Sequence, residues 1–212
     1  MNKPILFGAD YSVYVRISRL ALHEKGVDYE LIPIDIFALD KVASNYLERQ
    51  PFGKIPAFEH DGFRLYETGA ITRYIDEAFQ GSPLQPSTPK LRARVNQIIS
   101  IADNYIYPQL VWGMYVELVS KAVKGEPTDD TRIATARANT PGCLNVLSSL
   151  LGNDTWFSGD NISLADLYVA PMIDYFLMVP EGPEMFFKKE NLAGWWHGIR
   201  VRESFRATRP IN

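Results

Sequence analysis

What this chain has little of narrows the field before any motif is read. Only Cys143 among its 212 residues is a cysteine, so no internal disulfide can form and no cysteine cluster can hold a metal. That fits a reducing compartment. The three histidines, His23, His60 and His197, share no ligand or nucleophile spacing with each other or with Cys143. All four read as structural or surface residues, and no metal is expected. There is no basic run, and a formal charge of −3 with a pI near 5.7 argues against a nucleic-acid surface. No apolar run approaches the roughly 18 residues that span a bilayer, so a membrane partner is not expected either. Met1-Asn2-Lys3-Pro4 leads into a strand within a few residues, which leaves no room for a signal peptide. Repeats and low-complexity tracts are missing too. The expectation is a soluble cytoplasmic protein of one or two domains, with 46% hydrophobic residues to form a core.

What is present begins with a strand–helix–strand unit. Ile5–Phe7 is a short apolar run ended by Gly8. Val13, Ile17, Leu20 and Ala21 recur on one helix face, and Gly26 ends that helix. Tyr29–Ile34 reads as a second strand, parallel to the first, with Pro33 demoting it to a sheet edge. Ala38–Arg49 is irregular or weakly helical. From Gln50 the order is turn, strand, hairpin, strand and helix start. Pro51 and Gly53 punctuate the entry, Pro56 opens a strand, and Asp61-Gly62 is a type I′ hairpin signal between Ala57–Glu59 and Arg64–Tyr66. A cis Ile55–Pro56 bond would leave the backbone of Ile55 facing outward, ready to pair with an extended peptide. Glu67-Thr68-Gly69 opens a helix with buried stripe Ile71, Ile75, Ala78 and Phe79, and a helix start is a carboxylate site. An exposed strand edge beside such a start suits a small acidic peptide.

Residues 81–89, with three prolines, form the clearest linker, and beyond them the chain is helical throughout. Lys90 to about Val123 is one long periodic stretch that Pro108 should kink. Asp129–Leu151 follows, with a kink or interruption expected at Thr140-Pro141. Ser163-Leu164-Ala165-Asp166 is a capping box, Pro171 should bend the helix after it, and the tail is amphipathic around Trp195, Trp196 and Ile199. The fold class expected is α/β followed by all-α: residues 1–80 as a four-stranded mixed sheet with helices, 81–89 as linker, and 90–212 as a helical domain.

Three blocks together resemble the cytosolic glutathione transferase family over nearly the whole chain. They are Leu6-Phe7-Gly8 with Ser12 and Leu20 to Gly26, Gln50 to Pro56 with Glu67-Thr68, and Gly159 to Leu167. The phenylalanine in Gln-Pro-Phe-Gly and the serine at position 12 look most like the phi class, although theta and zeta members share the serine. The resemblance implies a thioredoxin-like first domain and a helical second one. The activity it implies is conjugation of glutathione, a co-substrate, to hydrophobic electrophilic small molecules.

Conjugation needs a thiolate near neutral pH, whereas a free thiol titrates near pKa ~8.5. Ser12, at the start of the first helix, is the catalytic donor the resemblance implies; alternatively it only caps that helix. Tyr11 is the rival donor or else lines the electrophile pocket. In the same resemblance Glu67 and Thr68 hold the γ-glutamyl amine and carboxylate, with Thr68 otherwise a simple cap. Ile55 pairs through its backbone, Pro56 fixes that geometry, and Lys41 and Lys54 meet the glycyl carboxylate. Both lysines depart from the phi pattern and read equally well as solvated charges. Tyr105, Trp112 and Tyr115 on the long helix are pocket candidates or plain core, with Trp112 and Tyr115 sharing a face. Asp166 reads as structural. Phe52 either locks into a neighbouring subunit, giving a C₂ homodimer, or packs on its own domain. Isomerisation or peroxide reduction on the same site, or a non-catalytic carrier or scaffold, are the alternatives. A thiol–disulfide exchanger is disfavoured, because Ser12 stands where the attacking cysteine would be.

Overall fold

The computed structural model describes residues 2–37 and 44–210. The chain divides into two compact units, Met1–Gln85 with Arg202–Asn212, and Pro86–Val201.

In the first unit β1 (Ile5–Phe7) leads through a short loop into α1 (Val13–Glu24), and β2 (Glu30–Ile32) returns parallel to β1 in the register Leu6 to Leu31. The strand expected over Tyr29–Ile34 is shorter at both ends. Pro33, which has no N–H to give a ladder, lies just outside it. A helical turn, α2 (Ser44–Leu47), precedes the hairpin of β3 (Ala57–His60) and β4 (Phe63–Tyr66). Asp61 and Gly62 take φ of 50° and 81° between them, the pair of positive values that a type I′ turn demands. β3 runs antiparallel to β1, and α3 (Thr68–Ala78) closes the unit. The sheet order is β2-β1-β3-β4, with the short β2 at an edge. The core is Leu6, Ile17, Leu20, Phe58, Ile71 and Ile75, all essentially inaccessible. Gly8 is where β1 meets α1. A side-chain carbon there would sit 2.3 Å from Val15 Cγ2, so only glycine lets the strand end so close to the helix.

The second unit begins at α4 (Pro89–Ile101), capped by Thr88 with Pro89 in the first turn. It continues without a break as a π-helical segment, Ala102–Ser120, and ends in α5 (Lys121–Lys124). Pro108 therefore does not break the helix: the stretch around it adopts the wider, five-residue bonding pattern. α6 (Asp130–Leu151) is capped by Asp129 and runs through Pro141 uninterrupted, with the buried Thr140 hydroxyl donating to the Ala136 carbonyl at 2.8 Å. α7 (Leu164–Phe176) is buried along its whole length. α8 (Gly182–Phe187) and α9 (Glu190–Arg200) follow, the latter burying Leu192, Trp195, Trp196 and Ile199. Among the described residues no helix is long and apolar enough to cross a membrane.

The helical domain expected at 90–212 and the second unit, Pro86–Val201, differ at the end of the chain. From Arg202 onward, including α10 (Glu203–Ala207), it belongs to the first unit. Three arginine contacts explain the return. The Arg16 guanidinium lies 4.2 Å over the Phe205 ring and donates to the Phe205 carbonyl. Arg202 forms a two-pronged pair with Glu24, at 2.8 and 2.6 Å. Arg19 donates to the Ala207 and Thr208 carbonyls.

Candidate active site

Ser12 caps α1 from a β-region backbone, as the simpler expectation had it, but the cap is long: Ser12 Oγ accepts from Val15 N–H at 3.4 Å. Capping uses an oxygen lone pair only. Among the described residues no acceptor takes the hydroxyl proton, so the same group can cap and donate at once. Tyr11 is already engaged. Its phenol donates to Asp35 Oδ1 at 3.1 Å, and its ring stacks on Phe37 with centroids 6.2 Å apart. Burial, then the hydrogen bond and charge of Asp35 and the charge of Asp10, push the phenol pKa above its ordinary value. A phenol whose proton is already given to Asp35 is a poor hydrogen-bond donor to a thiolate.

The strand edge is built from beneath. Gln50, almost fully buried, accepts through Oε1 from the N–H groups of Phe52 (2.7 Å) and Lys54 (3.2 Å). Tyr46, equally buried, donates its hydroxyl to the Lys54 carbonyl at 2.6 Å. Burial raises the Tyr46 pKa, keeping the phenol a donor. Together they fix the two peptides before Ile55, and the Ile55–Pro56 bond is cis. Among the described residues neither the N–H nor the C=O of Ile55 has a partner, as a site for an extended peptide requires. The roles of Gln50 and Tyr46 were not read from the sequence. A buried amide two and four residues before the N–H groups it binds is a local turn signal that could have indicated Gln50.

At the start of α3, Glu67 sits at φ 70° and ψ 115°, a conformation non-glycine residues adopt only under strain. No side chain among the described residues caps this helix. Ala70 and Ile71 donate to the Glu67 carbonyl, and among the described residues no acceptor is seen for the N–H groups of Thr68 and Gly69. Thr68 is 7% exposed. Lys54 is exposed and its ammonium meets no carboxylate among the described residues. Lys41 lies outside the described residues. Ser12, the Ile55–Pro56 edge, Glu67, Thr68 and Lys54 all belong to the first unit.

The three aromatic candidates of the second unit do not form one stripe. Winding with five-residue bonding turns each residue through less than an α-helix does, so positions three apart no longer share a face. Trp112 instead meets Tyr107, five residues earlier, at 6.5 Å, while Tyr115 packs on Tyr175 at 4.3 Å. Tyr105 and Trp112 are exposed, at 64% and 36%. Asp166 is structural, as expected, and Cys143 is half-buried in the second unit with its thiol against the Tyr105 carbonyl.

A thioredoxin-like sheet with serine where an attacking cysteine would stand, in one chain with an all-helical unit, defines a class of thioredoxin-fold proteins without dithiol chemistry. The comparisons with known proteins name the family. The family models described as glutathione S-transferase N-terminal and C-terminal domains match residues 6–83 and 114–203. Glutathione S-transferase F6 of Arabidopsis thaliana is 33% identical over 204 residues, covering 94% of this chain and 95% of its own length. Glutathione S-transferase F9 of the same plant is 31% identical over 192 residues, 89% and 88% of the two chains. The crystal structure of glutathione transferase F2 from Populus trichocarpa matches with a TM-score of 0.88 at 27% identity, covering 97% of this chain and 96% of that one. The chain belongs to the glutathione S-transferase family, and these relatives are of its plant phi class.

Proposed function

We propose that this protein is a glutathione transferase that ionises the glutathione thiol at Ser12 and transfers the sulfur to a hydrophobic electrophile. The observation that carries the reading is the Ser12 hydroxyl, whose lone pair faces Val15 N–H and whose proton is unclaimed among the described residues. It donates to the thiolate, and the positive end of α1 adds to that stabilisation. The thiol proton leaves to solvent, the thiolate attacks the electrophilic carbon, a C–S bond forms and the leaving group departs with its electron pair. Ile55 pairs with the cysteinyl backbone, its geometry set by Pro56. Glu67 takes the γ-glutamyl amine and Thr68 with its neighbouring N–H groups the carboxylate; Lys54 and Lys41 attract the glycyl carboxylate. Tyr11 serves the acceptor side rather than the thiol. Phe52, 69% exposed and edge-on to Tyr66, supports a C₂ homodimer. A detoxifying role in the cytoplasm accords with this chemistry.

The test is the ultraviolet thiolate absorbance of glutathione bound to the purified protein as pH is raised from about 5 to about 9. A transition well below that of free glutathione, near pKa ~8.5, is expected. Binding with an unshifted transition would leave a carrier, and no binding would overturn the reading.

A further inference from the structure

Asp35 lies outside every role so far assigned, yet one of its oxygens does two things. Asp35 Oδ1 accepts from the Phe37 N–H at 3.0 Å, closing a turn over residues 35–37, and from the Tyr11 hydroxyl at 3.1 Å. A backbone turn and an aromatic side chain 24 residues apart in sequence are thereby tied to a single atom. The result is a pair of rings tilted by 29° and stacked at 6.2 Å, both well exposed: Tyr11 at 41% and Phe37 at 57%. Two exposed aromatic rings held in a tilted stack beside a carboxylate are not needed by the core of this unit. Their anchor, Tyr11, is the residue immediately before Ser12.

We propose that Asp35 is a positioning residue for the acceptor: it holds Tyr11 and Phe37 as one aromatic platform, and that platform favours planar, electron-poor aromatic electrophiles. The chemistry is complementary. An arene activated for attack by a thiolate carries electron-withdrawing groups and has an electron-poor face, whereas phenyl and phenol faces are electron-rich. A phenol donating to a carboxylate gains further electron density in its ring. This inference rests on the proposed transferase reading, but it is testable by binding alone.

Titration calorimetry on the full chain would compare S-(2,4-dinitrophenyl)glutathione with S-ethylglutathione, two conjugates that share the tripeptide and differ in the acceptor group. Wild type should bind the aryl conjugate more tightly. Asp35→Ala should weaken the aryl conjugate by about three- to tenfold and leave the ethyl conjugate unmoved. Asp35→Asn keeps an oxygen that accepts both hydrogen bonds, so it should restore most of the difference and control for folding. Turnover should follow the same split, with the KM for 1-chloro-2,4-dinitrobenzene rising in Asp35→Ala while kcat and the KM for iodoethane hold. Equal weakening of both conjugates, or an Asn variant as poor as the Ala variant, would overturn the positioning role. Binding with the expected split but no turnover in wild type would sustain the platform and remove the transferase reading. If neither conjugate bound, both would fall.

Discussion

Two helices of this chain begin in opposite ways. At the start of α7 the Asp166 carboxylate, fully buried, receives four donors: Ser163 N–H and Oγ–H at 2.8 Å each, Phe157 N–H at 3.0 Å and Trp195 Nε1–H at 2.9 Å. Nothing is left over, and the box ties three segments of the helical unit together. At the start of α3 no side chain among the described residues caps the helix, and the residue before it is held at φ 70°. Forgoing a cap costs about 1 kcal/mol, and a strained backbone residue of order 1–3 kcal/mol. The other end of α3 offsets this. There Asp76 pairs with the buried Lys25 at 3.1 Å and accepts from the Leu84 and Gln85 N–H groups. A saturated helix start holds the fold together, and an unsaturated, strained one leaves its donors open. The start of α1 combines both, since the single hydroxyl of Ser12 caps with its lone pair and keeps its proton.

The contrast is sharpest under Asp166→Ala. Four donors would lose their acceptor in a dry interior, and unfolding free energy should fall by about 3–5 kcal/mol in denaturant titration. A loss below about 1 kcal/mol would break the distinction between the two helix starts. Ser12→Ala should divide its effects differently. Stability should drop by at most about 1 kcal/mol, as for a weak cap, while kcat should fall roughly 100-fold or more, as when one preorganised donor to a developing anion is lost. Full turnover in that variant would return the thiolate to some other donor.

How much of this was legible in the sequence follows from the range of each interaction. The hairpin at Asp61-Gly62, the box from Ser163 to Asp166 and the helix start at Thr68 rest on neighbours within a few residues, and patterns of residue types reveal them. The return of the tail rests on Arg16 meeting Phe205, 189 residues away, which no local pattern encodes. The π-helical winding of Ala102–Ser120 was not readable from an apolar period, because its buried positions Ala102, Ile106, Leu110 and Met114 fit an α-helix about as well. At the site, the family resemblance singled out Ser12, Glu67 and Thr68, while the residues alone left Ser12 as either a cap or a donor. The structure shows the cap, with Val15 N–H on the Ser12 oxygen. Gln50 and Tyr46 were missed because they act on backbone groups from below, and a polar residue buried for that purpose looks in sequence like any loop residue.

The strain at Glu67 offers a test in which stability and binding move in opposite directions. Glu67→Gly should relieve the positive φ and stabilise the fold by about 1 kcal/mol, even though glycine is the more flexible residue when unfolded. The same change removes the carboxylate, and the Kd for glutathione should rise by about tenfold. Thr68→Val, which keeps the shape and loses the hydroxyl, should weaken glutathione binding by a similar or smaller factor with stability nearly unchanged. Thermal unfolding and calorimetry on the two variants would check this. A Gly variant that is less stable would mean the backbone at Glu67 is unstrained and α3 begins like any other helix.

The smallest effect separates the two helix starts by their response to salt. Lys54 is exposed, and a charge in water is screened over a Debye length of about 10 Å at 0.1 M and about 3 Å at 1 M. The partial charge at an exposed helix start is screened in the same way. Glutathione affinity should therefore fall by about two- to fourfold between roughly 0.05 and 0.5 M sodium chloride. Lys54→Gln should lower affinity about twofold and flatten the salt response, because part of the screened attraction has been removed. The box at Asp166 is dry, so salt should leave the stability difference between wild type and Asp166→Ala unchanged over the same range. If Lys54→Gln keeps the full salt slope, the lysine is a solvated charge and the attraction comes from the helix start alone. If the Asp166 difference shrinks with salt instead, that carboxylate is reached by water, and the two helix starts differ in degree rather than in kind.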